Sequence, residues 1–111
     1  MDTQALQFEL MKKASFNNFR GEQVVGDLKA NNHLWDSALM DAPKLIKLRD
    51  LPDDIWNVNT LYILTGIKSD QLYQLALQWN PSHLRWIEGE EASRRLDAYV
   101  SGDYILSLRW D

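Results

Sequence analysis

The sequence predicts a small α/β or α+β domain: a helical N-terminal third, then a β-α-β-α-β run forming a three- to four-stranded sheet with helices packed on it. Three observations lead there. Apolar residues recur at helical spacing through the first forty positions. From residue 56 onward, stretches dense in β-branched and aromatic residues alternate with stretches of helical period. A chain of 111 residues, 45% hydrophobic and 25% charged, suits one globular domain over 1–111, with material for one core rather than two.

Taken in order, residues 3–14 place Leu6, Leu10 and Ala14 on one helical stripe with Phe8 and Met11 beside it. After the interruption "SFNNF", Val24, Val25 and Leu28 mark a second amphipathic helix that begins near Gly21 and fades at Asn31 and Asn32. Asn32 then suits the N-cap of a third helix carrying Leu34, Trp35, Ala38 and Leu39. Residues 44–50 fit strand or helix, with the strand favoured, and Leu51-Pro52-Asp53-Asp54 is a turn. "WNVNTLYILTG" reads as a strand that is apolar on both faces, hence central. "KSDQLYQLALQW" switches to helical period, with Ser69 as N-cap, Leu72, Leu75, Ala76 and Trp79 on one stripe, and Asn80-Pro81 as its end. "HLRWI" is a short strand and "EGEEASRRLDAY" a helix. After a turn at Ser101-Gly102-Asp103 comes a last strand, with Tyr104, Leu106, Leu108 and Trp110 on one face against Ser107 and Arg109 on the other. Strands joined by helices of this length predict a parallel sheet with right-handed crossovers.

The bulk numbers exclude several functions. Net charge is −4 with 12 basic and 16 acidic residues, and no basic stripe stands out. Phosphate neutralisation needs clustered Lys and Arg, so nucleic acid is disfavoured as a partner; it would require Lys12, Lys13, Arg20, Lys29 and Lys47 to converge in space. The absence of cysteine removes disulfides, thiolate metal sites and cysteine nucleophiles, and fits a reducing cytoplasm. The opening "MDTQALQFELMKK" does not read as a signal peptide, and no wholly apolar run exceeds four residues, so no membrane association is expected.

The densest chemistry is "RWIEGEEASRRL", residues 85–96. At the carboxyl end of a strand it stands where open sheets bind ligands. Yet Glu90 and Glu91 also suit the positive end of a helix, and each precedes Arg94 or Arg95 by four, the favourable order for helical ion pairs. Glu88, just ahead of the helix, is the acid left to enter a cleft beside Arg85 and Trp86. His33 and His83 read as exposed polar turn residues without metal-ligand spacing, and no nucleophile elbow, phosphate loop or HExxH motif occurs. No cofactor or metal is expected. Among five tryptophans, Trp56, Trp86 and Trp110 sit in or beside predicted strands, where with Tyr62 and Tyr104 they would line one edge or mouth of the sheet.

Two functions follow as expectations. The first is a small acidic cytoplasmic binding or regulatory domain without catalysis, acting through a protein partner or self-association; its surface is the last strand with Arg109 and Trp110, plus the Trp86 region. The second is a small-molecule-binding protein or minor enzyme with a Trp- and Tyr-lined pocket carrying Glu88 and Arg85.

Overall fold

The computed structural model describes residues 2–14, 19–41, 52, 54, 58–96 and 102–111. Trp56, Lys47 and the ambiguous stretch 44–50 lie outside them.

Helix α1 spans Thr3–Lys13 and is capped by Asp2, whose carboxylate accepts from the Ala5 N–H at 2.8 Å. Its inward side is not the Leu6–Leu10 stripe expected from the sequence. Phe8 and Met11 are buried, whereas Leu6 is 52% exposed. The reason lies in Gln4 and Gln7, which share the Phe8–Met11 side of the helix and reach the backbone of a strand. Helix α2, Gly21–Ala30, buries Val24, Val25 and Leu28 as predicted. It starts at Gly21 because α1 lies directly above: a Cβ there would collide with the Met11 carbonyl.

The predicted third helix does not form. Asn32–Leu34 make one 3₁₀ turn, and Ser37–Asp41 become strand β1. Ala38 and Met40 alternate inward while Leu39 stays half exposed, a period of two that pairing with the next strand selects over helical spacing. Trp35, freed from that helix, donates its indole N–H to the Leu28 carbonyl at the end of α2 (2.7 Å).

Four elements then follow as the sequence predicts: β2 (Thr60–Thr65), α3 (Asp70–Leu77), β3 (His83–Ile87) and α4 (Gly89–Leu96). Strand β4, Tyr104–Arg109, completes the run. Ser69 caps α3 through its hydroxyl, and Asn80 takes positive φ just beyond the helix before Pro81. Gly89, also at positive φ, turns the chain from β3 into α4.

The sheet order is β1-β2-β4-β3 and every neighbouring pair is antiparallel. The parallel arrangement is therefore corrected: β2 and β3 run the same way, but β4 inserts between them. A crossover helix needs an apolar stripe along the sheet, which α3 has in Leu72 and Ala76. Helix α4 buries Ala92, half-buries Leu96 and carries Glu90, Glu91, Arg94 and Arg95 besides, so its apolar stripe is short, it docks over one end of the sheet and the chain returns antiparallel.

Register rows show where the core sits. On the inner face, Met40, Leu61, Leu108 and Leu84 form one row, and Ala38, Ile63, Leu106 and Trp86 the next. Helices α1, α2 and α3 cover this face with Phe8, Met11, Val24, Val25, Leu28, Leu72 and Ala76. Trp79 and Trp110 close its end, each with its indole N–H satisfied: Trp79 donates to the Asp27 carboxylate and Trp110 to the Trp79 carbonyl, both at 2.8 Å. A smaller core of Ile87, Ala92 and Ile105 lies on the opposite face beneath α4.

Candidate functional site

The outer face has three register rows. The first, Ser37, Leu64, Ile105 and Ile87, runs under α4. The second is Leu39, Tyr62, Ser107 and Arg85, and the third Thr60, Arg109 and His83, with Asp41 the backbone partner of Thr60. The face thus grades from apolar to polar within two residues of each strand. Helix α4 lies over the first row and reaches the second through Glu91 and Arg95, while the side chains of Arg85, Arg109 and His83 stay exposed.

There the side chains enclose a shallow hollow of about 450 Å³, bounded chiefly by Tyr62, Arg85, Arg95, Ser107, Arg109 and His83. Ser107 is its floor, a small side chain between Tyr62 and Arg85. Arg95 reaches in from α4: its guanidinium lies 5.4 Å from the Tyr62 ring centroid and donates to the Tyr62 hydroxyl at 2.9 Å. An apolar recess of about 210 Å³ adjoins at Tyr62 and Arg95, walled by Leu39, Leu64, Leu96 and Ile105.

The charges are unevenly paired. Arg85 grips Glu91 through two N–H groups at 2.7 and 3.4 Å, which holds the Glu91 carboxyl below the usual carboxylate range and raises the already high pKa of Arg85. Asp111 lies 3.1 Å from Arg109 Nε and 3.0 Å from His83 Nε2. Arg95 has only the neutral hydroxyl, with no carboxylate in ion-pair reach among the described residues. Among the described side chains, the three guanidinium groups lining this hollow face the carboxylates of Glu91 and Asp111, on a chain whose net charge is −4.

Of the residues singled out from the sequence, Arg85 on β3 and Arg109 on the adjoining β4 lie diagonally on this face and line the same hollow. Trp86 is half-buried on the inner face, edge-on to Tyr104 with ring centroids 6.3 Å apart. Trp110 is a correction: at 1% exposure, packed edge-on against Phe19, it is core and presents no surface. Glu88 is exposed and pairs with Lys68 at 2.9 Å instead of entering a cleft with Arg85, and that bond raises the Lys68 pKa. The expected helical pairing of Glu91 with Arg95 gives way to Glu91–Arg85 and Arg95–Tyr62. His83, read as an exposed turn residue at the start of the strand "HLRWI", is the exposed first residue of β3.

Arg95 and Ser107 went unassigned as site residues because their convergence depends on register. A partial signal existed: the outward positions of "HLRWI" and "YILSLR" are both polar in the same half. Elsewhere, Lys12 pairs with Glu9 and Lys13 with Asp54, so these lysines build no open cationic patch. Among the described residues no three His, Asp or Glu gather as metal ligands, and no helix is long and apolar enough to cross a membrane. The chain matches no family model, no curated protein and no solved structure.

Proposed function

We propose that this chain is a small cytoplasmic binding domain without catalysis, and that it recognises an acidic segment of a protein partner on the open half of its outer sheet face. The observation that carries the reading is the convergence of Arg85, Arg95, Arg109 and His83 on an uncovered surface of an acidic protein. Such a patch attracts carboxylates while the rest of the molecule repels them, which orients the encounter. Tyr and Arg are also the residue types enriched where proteins meet.

Charge alone does not hold a partner. Exposed ion pairs contribute about 0.2–1 kcal/mol each, so three arginines supply at most about 3 kcal/mol. Even a millimolar complex needs about 4 kcal/mol. The arginines therefore select and steer, and other contacts must add to them.

The test is a titration of the isotope-labelled protein with a glutamate-rich peptide at low salt, repeated on an Arg95→Ala, Arg109→Ala variant. Binding that maps to β3, β4 and Tyr62, weakens with salt and falls at least tenfold in the variant is the expected result. Equal binding by wild type and variant overturns the reading. A second reading, a small carboxylate with an apolar arm, is favoured by the apolar recess joining the hollow at Tyr62. Saturable binding of a benzoate-sized carboxylate, lost in Leu39→Arg and Arg95→Ala alike, would support it.

A further inference from the structure

We propose that the free edge of β3 takes an extended segment of the partner as a fifth strand, and that this segment alternates acidic and apolar residues. The inference rests on the reading of the outer face as an acidic-partner surface and adds where the partner's backbone runs.

The two edges of the sheet are treated differently. At β1, the Gln4 side chain donates to the Ala38 carbonyl and accepts from the Ala38 N–H, both at 2.8 Å, and Gln7 accepts from the Met40 N–H at 3.1 Å. Helix α1 thus occupies outward-facing groups that another strand would need. β3 has β4 on one side, and among the described residues no hydrogen bond is made on its other side. Among the described residues it is the edge open to strand addition.

Its side chains say which strand fits. His83 and Arg85 are exposed on the outer face, while Leu84 and Trp86, half-buried, present apolar surface on the inner face. A strand added about 4.8 Å away places its own side chains beside these, alternating between the faces. Acids two residues apart then meet His83 and Arg85, and the apolar residues at the intervening positions meet Leu84 and Trp86. A second copy of the chain is disfavoured. Antiparallel pairing of two β3 edges about Arg85 sets guanidinium against guanidinium, a destabilising cross-strand pair. Pairing of β3 with β1 meets the Gln4 and Gln7 seal. The Arg85–Glu91 pair is exposed, so Arg85 can exchange Glu91 for an incoming carboxylate at little cost.

The full chain would be titrated with three nine-residue peptides: one alternating glutamate and valine, one of the same composition with the glutamates grouped at one end, and the alternating one N-methylated at every second residue. The expected result is that the alternating peptide binds at least tenfold more tightly than the other two and slows amide exchange in residues 83–87. Arg85→Glu and the milder Arg85→Gln, each shown to be folded by its spectrum, should weaken it, the former by about tenfold or more. Grouped or methylated peptide binding as tightly as the alternating one would overturn strand addition and leave the outer-face reading standing. No binding by any of the three would overturn both.

Discussion

The two faces of the sheet are built from the same four strands, yet one follows a single rule and the other changes character within two residues. Inward, both complete rows from β1 to β3 are apolar and three helices lie on them. Outward, an apolar row under α4 gives way to Tyr62, Ser107, Arg85, Thr60, Arg109 and His83. Folding free energy is concentrated on the first face, which leaves the second free to vary in chemistry. The comparison can be broken by substitutions that should cost stability on one face and nothing on the other.

The largest contrast is between neighbours on β4. Leu106→Ala empties a fully buried inner site and should lower stability by about 2–5 kcal/mol in urea unfolding. Ser107→Ala, one residue on but facing out, should stay within about 0.5 kcal/mol. Similar losses would mean that the outer face also carries the fold. Gly21→Ala comes next: with the Met11 carbonyl in the way, α1 and α2 must separate, and a loss of about 1–3 kcal/mol should appear as a lowered melting temperature. Asp27→Ala orphans the Trp79 indole N–H and should lose about 1–3 kcal/mol, while Asp27→Asn, which keeps an acceptor, should lose less.

The smallest effect is that of pH on the outer face. Glu91 titrates below the usual carboxylate range in the folded chain because Arg85 donates to it. Its contribution is therefore present above the unfolded carboxyl pKa of about 4.3 and lost as pH falls through the lower folded value. Both groups are exposed, so the effect is slight. Glu91→Gln should flatten that part of the stability profile. By releasing Arg85, the same substitution should tighten acidic-peptide binding; weaker binding would show that Glu91 orients the arginine rather than competing for it.

Much of the inner face was legible in the sequence because its signal is local. Ser69, Leu72, Ala76 and Trp79 mark α3 by spacing, and Tyr104 to Arg109 alternate as they do in the structure. Three expectations failed where non-local pairing decided the outcome. "LWDSAL" holds helical and strand periods at once, and β2 chose between them. The sheet became antiparallel because β4 inserts between β2 and β3. The face of α1 was set by two glutamines whose partners lie more than thirty residues away. The outer site was legible only in part for the same reason: Arg85, Arg109 and Tyr62 could be named, whereas Arg95 and Ser107 join them only once register is known.

The position of β4 also sets the order in which the molecule can assemble. Ile87 and Ile105, bridged by α4, are near in sequence, but Ile63 must find Leu106 across all of α3, β3 and α4. Closing the longer loop costs more entropy before any contact compensates it. The β3–α4–β4 unit should therefore be the folding nucleus, with β2, then β1 and α1, added late. Conservative truncations at Ile105 should slow refolding, whereas those at Met40 should chiefly speed unfolding, and the reverse pattern in stopped-flow chevrons would place the nucleus at the N-terminal half.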